Sequence, residues 1–163
     1  MRKNRVKELT FGALIASIYI VLTILSNLFG LASFAIQFRL SECLTVFSYM
    51  GPYSIIGLGV GCLLSNILIG ANIFDIVFGT IATIIGAIGT YYISKKNDKL
   101  LFLPPVLSNM FIIPLVLRYA YALPNTYLYF VLTIGLSEIV TCGILGMLLY
   151  KGTKDKIKWI EKK

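Results

Sequence analysis

The sequence predicts an all-α membrane protein: a six-transmembrane-helix bundle with both termini cytoplasmic, built as a single domain over residues 1–163. Three observations carry this expectation. Hydrophobic residues make up 58% of the chain and charged residues 13%, and the mean hydropathy is +0.86; a soluble domain would be about 45–50% apolar and about 25% charged. Most of the charge lies outside the apolar runs, in Arg2, Lys3, Arg5 and Lys7, in Lys95, Lys96 and Lys99, and in six lysines between Lys151 and Lys163. Those three basic groups fall on one side of a membrane if the apolar runs cross it six times, as basic segments that resist translocation should.

In chain order, Phe11–Phe29 is too long for the apolar core of a cleaved signal and has no small-x-small cleavage site close behind it, so it reads as a retained span over about residues 10–32. The stretch from 34 to 70 is too long for one span. Gly51-Pro52 divides it into helices at about 34–50 and 53–70, because proline removes a backbone donor and glycine relaxes the turn. Spans at about 72–94, 102–121 and 126–150 complete the six. Counting 34–70 once would place the Lys95–Lys99 loop opposite the N-terminal tail, which the charge pattern disfavours. Trp159, with Ile157 and Ile160 among lysines, suits either a segment lying at the inner interface or a solvated basic tail.

The net charge of +8 is explained by this topology, so nucleic acid is not an expected partner. Cys43, Cys62 and Cys142 sit in apolar runs at wide spacing, and the chain has no histidine; a disulfide framework or zinc site has little support, and the cysteines read as packing residues. No metal, cofactor or enzymatic role is expected, since the acid and amide side chains come without a nucleophile, histidine or metal cluster. "GMLLYKGT" (Gly146–Thr153) misplaces the lysine of a phosphate-binding loop, and "GLGVG" (Gly57–Gly61) inside a span reads as close helix packing rather than a dinucleotide site. ATP hydrolysis would have to come from a partner.

Charges remain inside the apolar runs, each costing roughly 2.5–3.5 kcal/mol at bilayer depth on insertion scales. Alternating six spans places Glu42, Asp75, Arg118 and Glu138 in the outer half, from four different helices, with Glu138 about 17 Å in from the start of its span. Asn109 reaches a similar depth, and Asn66 and Asn72 flank the outer turn between the third and fourth spans. Arg39 falls near the headgroup level. Ion pairs could hold these helices together, Arg39 with Glu42 and Arg118 with Asp75 or Glu138. Three carboxylates against two arginines nevertheless leave an acid over, which suits a cationic or donor-rich ligand. Phe38, Phe74, Phe78, Tyr119 and Tyr121 lie at outer levels, as core, interface belt or stacking partners for a planar ring. In the first span Gly12, Ala13, Ala16 and Ser17 form two interleaved small-x-x-x-small pairs, for packing inside the bundle or docking of a partner helix.

Four stretches, "FRLSECLTV", "GCLLSNILIGANIFDIVFGTIAT", "LPPVLSN" and "GLSEIVTCGILG", resemble the QueT family of substrate-binding S components of energy-coupling factor (ECF) transporters, from about Phe38 to Gly146. The resemblance implies a deazaguanine queuosine precursor, with an aminomethyl or cyano group, as ligand. It implies a transmembrane coupling subunit and two cytoplasmic ATPases as partners, and a prokaryotic plasma membrane as location. Glu42, Asn66, Asp75, Asn109 and Glu138 lie in the resembling stretches and Arg118 outside them. In that reading Glu138 accepts the base's ring and amino donors, Asn109 reads its carbonyl, and Glu42 or Asp75 faces the aminomethyl cation. An S component for another flat heterocyclic vitamin, a proton-coupled carrier and a membrane scaffold are the competing readings.

Overall fold

A backbone in lipid must satisfy its own hydrogen bonds, and each apolar run does so as a helix. The computed structural model describes residues 2–31, 38–120 and 126–161, with side chains from Arg5 to Asp155. The first helix is Arg2–Leu28, the second Leu40–Met50 and the third Pro52–Leu68. The fourth, Asp75–Ser94, opens with a π-helical turn, Asp75–Gly79. A short turn at Asp98–Leu100 leads to the fifth helix, Leu103–Tyr119. The sixth begins as Tyr127–Glu138, passes through a π segment, Ile139–Gly146, and ends as Met147–Glu161. Four segments, Arg5–Leu28, Asp75–Ser94, Asp98–Tyr119 and Tyr127–Asp155, are long and apolar enough to cross a membrane, and Pro52–Leu68 is a shorter apolar helix. Tyr121 and the side chains of Ile157, Trp159 and Ile160 lie outside the described residues.

The break expected at Gly51-Pro52 is present. Gly51 has φ +127°, in the region that favours glycine, and Pro52 opens the third helix at its first turn, where no donor is needed. The second helix differs from expectation: its 11 residues form a 3-10 helix rather than an α-helix. At about 2.0 Å per residue it extends about 22 Å. Its side chains eclipse every third residue, so Arg39 at its cap, Glu42, Thr45 and Ser48 line one edge, and all four are buried. The Thr45 hydroxyl donates to the Glu42 carbonyl at 2.7 Å, supporting the tight winding. The first, third, fourth and sixth helices enclose this segment.

Burial is inverted relative to a water-soluble bundle. Ser26, Ser41, Thr45, Asn66, Thr83 and Thr90 are buried, whereas Ile56, Leu68, Leu128, Leu132 and Leu136 are exposed. Lipid accepts such an apolar exterior without penalty, so interior contacts fall to small residues and hydrogen-bonding side chains. The seam between the first and third helices follows that rule. Gly57 packs on Gly12, where an ideal Cβ would lie 2.3 Å from the Gly12 carbonyl oxygen, and Gly61 packs on Ala16 and Tyr19. Gly12 and Ala16 are therefore buried within the chain's own bundle, and of the four small residues only Ala13 and Ser17 are exposed to a partner.

Aromatic and ionic contacts gather one end of the bundle. Phe11 meets Phe47 edge to face at 6.2 Å, and Tyr49 meets Tyr150 at 5.2 Å. The Tyr150 hydroxyl donates to Asp98 Oδ2 at 3.0 Å, and Lys154 pairs with the same oxygen. The start of the first helix, the end of the second, the turn after the fourth and the end of the sixth thus share one end with Lys95, Lys96 and Lys99.

Gly57→Ala should lower stability by about 1–3 kcal/mol, the usual cost of overpacking, because its methyl would meet backbone rather than a movable side chain. Gly152→Ala, where a Cβ has nothing within 4 Å, should be neutral or slightly stabilising. Thermal unfolding of both variants in detergent measures the difference.

Candidate functional site

The second helix delivers its polar edge to the centre of the bundle, where every other helix adds a polar group. Glu42 is 1% exposed. From the first helix Tyr19 donates its hydroxyl to Glu42 Oε1, and from the fourth helix Thr83 donates to the same oxygen at 3.1 Å. The third helix supplies Cys62, whose sulfur lies 3.4 Å from the Thr83 hydroxyl and 3.6 Å from Asn66 Nδ2. Asn66 Nδ2 also donates to the backbone carbonyl of Asp75 at 3.3 Å. That carbonyl can only accept, which fixes the orientation of the Asn66 amide. Arg39 reaches across from the second helix to Asp75 of the fourth, with Arg39 Nη2 3.8 Å from Asp75 Oδ1 and both side chains buried.

A second group joins the fifth and sixth helices. Asn109 Nδ2 donates to Glu138 Oε1 at 3.0 Å, and the Cys142 thiol lies 3.1 Å from Glu138 Oε2. Cys142 Sγ is also 3.4 Å from the Glu42 carbonyl and 3.7 Å from the Thr45 hydroxyl, which ties this group to the first. Glu42, Glu138 and Cys142 bring ligand-type atoms within 4.8 Å of one another. By donor type, two carboxylates and a thiol suit a zinc-like divalent ion; the same closeness is also what their existing hydrogen bonds require.

Five of the six substrate-binding residues expected from the sequence, Glu42, Asn66, Asp75, Asn109 and Glu138, are thus buried together. Arg118 is not with them; it is exposed at the end of the fifth helix. Arg39, expected near the headgroups, is 7% exposed and pairs between helices with Asp75. Asn72 is half-buried, and its side chain accepts the Phe74 backbone N–H at 3.0 Å, stabilising the entry to the fourth helix. Among the described residues, three buried carboxyl groups now face one buried guanidinium, a larger acidic excess than the sequence suggested. The base-reading pair expected at Glu138 and Asn109 is already engaged, each with the other and Glu138 with Cys142.

Among the described residues these groups contact one another where an open hollow was expected, and two cavities lie elsewhere. One of 410 Å³ is apolar and lined by Phe74, Phe78, Ile112, Leu115 and Tyr119, where the Phe74 and Phe78 rings stack at 6.4 Å. Another, of 550 Å³, lies among Leu22, Leu40, Leu145 and Leu148. Phe74, Phe78 and Tyr119 therefore face an outward groove and Phe38 is half-buried.

The sequence reading missed Tyr19, Thr83 and Cys142 as members of the set. Their signal was helical spacing from polar neighbours: Thr83 follows Asp75 and Gly79 at intervals of four, Cys142 follows Glu138 by four, and Tyr19, Thr23 and Ser26 form one buried stripe.

A sequence model of the QueT transporter family matches residues 9–155. The chain belongs to the QueT transporter family. A curated relative, the queuosine precursor transporter QueT of Lactococcus lactis subsp. cremoris (strain MG1363), is 29% identical over 85 residues, 52% of this chain and 50% of that protein. The chain thus spans about half the length of the curated relative it matches. No solved structure matches it. Membership in a transporter family, with four helices long and apolar enough to cross, makes this a multi-pass membrane protein, and the buried polar set lies inside the matched region.

Removing one member of the Arg39–Asp75 pair takes a buried ionic partner from the other. Arg39→Gln alone or Asp75→Asn alone should each cost about 3–5 kcal/mol, and the double variant should recover part of that loss. Melting temperatures of the three variants in detergent give the comparison.

Proposed function

We propose that this chain is the substrate-specificity component of an ECF-type importer, which takes up a deazaguanine queuosine precursor from outside and delivers it inward. The observation that carries this is the excess of buried acid: three carboxyl groups and two amides from five helices, with one guanidinium, at one place in a QueT-family chain. A structural network needs no such excess, whereas a flat heterocycle bearing ring and amino donors would neutralise it. The six helices cross the membrane with both termini and the Lys95–Lys99 turn cytoplasmic, which puts the polar set in the outer half. Binding opens the side-chain contacts that now seal the set, and the ligand replaces them.

Glu42, Asn66, Asp75, Asn109 and Glu138 form the substrate site, while Arg118 stays outside it. Two cytoplasmic ATPases drive the cycle through a transmembrane coupling subunit, and the exposed Ala13 and Ser17 face of the first helix is the side left for that subunit.

Protein purified in detergent should carry a deazaguanine base identifiable by mass spectrometry, and the stripped protein should bind 7-cyano-7-deazaguanine in titration. Glu138→Gln should weaken that binding by about tenfold, about 1.4 kcal/mol, because it removes one of the buried carboxyl groups that give the site its acidic excess. Unchanged affinity in that variant would remove Glu138 from the site.

A further inference from the structure

Among the buried polar atoms of the described residues that have no hydrogen-bond partner, Glu42 Oε2, Asn66 Oδ1 and Arg39 Nε belong to the central set, while Ser48 Oγ lies two turns along the second helix from Glu42. Glu42, Asn66 and Arg39 are 1%, 0% and 7% exposed as residues, so water does not satisfy them from the surface. Buried polar groups left unpaired are expensive, and a native site that leaves several unpaired together is arranged for something else to complete it. All three belong to one neighbourhood. Thr83 bonds Glu42 at 3.1 Å and lies 3.4 Å from Cys62, and Asn66 lies 3.6 Å from that same sulfur. A Cβ placed on Gly79 would sit 3.3 Å from Asn66 Nδ2 and 3.7 Å from Arg39 Nη1, so Arg39 and Asn66 flank the same bare stretch of the fourth helix.

Each orphan is created by a specific neighbour. Tyr19 and Thr83 both donate to Glu42 Oε1, which leaves Oε2 to something else. The Asp75 carbonyl takes the Asn66 amino group, which leaves Oδ1. The Asp75 carboxylate engages the terminal guanidinium nitrogen of Arg39, which leaves Nε. What remains is two acceptors and one donor. The complementary ligand edge carries two donors and one acceptor, which is the set that a guanine-type ring presents: the ring N–H, the exocyclic amino group and the adjacent carbonyl.

We infer that Glu42 Oε2, Asn66 Oδ1 and Arg39 Nε read the guanine-type edge of the ligand, with Tyr19 and Thr83 as positioning residues that aim Glu42. The assignment rests on the substrate class proposed above and deepens it. It moves edge recognition from Glu138 and Asn109, whose polar atoms already bond to each other, to the second and third helices. Glu138 then sets the charge of the site without reading the edge. The π-helical turn Asp75–Gly79 serves the same end, since it brings a glycine rather than a side chain against Asn66 and Arg39.

The test pairs protein variants with a ligand that lacks one donor. Full-length protein in detergent is titrated with 7-cyano-7-deazaguanine and with its 2-deamino analogue, and the ratio of the two affinities is compared among variants. This ratio does not depend on how much of a preparation is folded. The parent chain should prefer the amino-bearing base by at least about tenfold. Glu42→Gln and Asn66→Leu should bring the ratio toward one, whereas Glu138→Gln should weaken both ligands alike and keep it. If Glu42→Gln does not fold, Thr83→Val and Tyr19→Phe remove only the hydroxyls that aim Glu42, and should lower the ratio several-fold. A ratio that survives in the Glu42, Asn66, Thr83 and Tyr19 variants, or collapses in Glu138→Gln instead, overturns the edge assignment and leaves the substrate class standing. A parent chain that binds neither base overturns both.

Discussion

Glu42, buried at the centre of the bundle, is the constraint around which the other helices are arranged. A carboxylate in that position must be met by donors, and the chain brings them from different helices: Tyr19 from the first and Thr83 from the fourth. The Glu42 backbone carbonyl is in turn met by Thr45 and approached by Cys142 of the sixth. The 3-10 winding of the second helix follows from the same demand, because it stacks Arg39, Glu42, Thr45 and Ser48 on one edge instead of spreading them around an α-helix. Enclosure by four helices offsets the poorer hydrogen-bond geometry of so long a 3-10 segment.

Association of the helices then depends on two kinds of contact, because an apolar exterior in lipid supplies no drive to collapse. One is the polar network itself. The other is the glycine seam between the first and third helices, where Gly12, Ala16, Gly57 and Gly61 let the backbones meet closely. The seam holds the first helix so that its buried stripe of Tyr19, Thr23 and Ser26 faces the second. Thr23 donates to Ser41 at 2.8 Å, and Ser26 accepts the Leu40 backbone N–H at 3.0 Å. Packing by small residues thus positions the polar stripe that holds Glu42, and the aromatic and ionic contacts at the opposite end leave the polar set free of that task.

Much of this was legible in the chain. Apolar runs, Gly51-Pro52 and Gly57-x-x-x-Gly61 specify helices, a break and a seam through local chemistry alone, and the convergence of Glu42, Asp75 and Glu138 followed from counting residues along alternating spans. What was not legible depends on which way a face turns. Gly12 and Ala16 differ from Ala13 and Ser17 only by a rotation of the helix, and the inward pair is chosen by glycines on the facing helix. Arg39 lies just before an apolar run, so depth counting put it near the headgroups, yet its pairing with Asp75 draws it inside. Arg118 was counted into the membrane by the same rule and stands exposed. Tyr19, Thr83 and Cys142 looked like ordinary span residues, because a hydroxyl or thiol shows its role only against the partner that it meets.

The central claim is that the buried acid and amide groups, rather than an outward groove, hold the ligand. A structure of the full chain determined with 7-cyano-7-deazaguanine tests it most directly. The account predicts the base at the centre of the bundle, within hydrogen-bond distance of Glu42 and Asn66, with the contacts that now seal them opened. A base seated in the apolar groove beside Phe74 and Tyr119, with the Glu42 and Glu138 contacts unchanged, would contradict it.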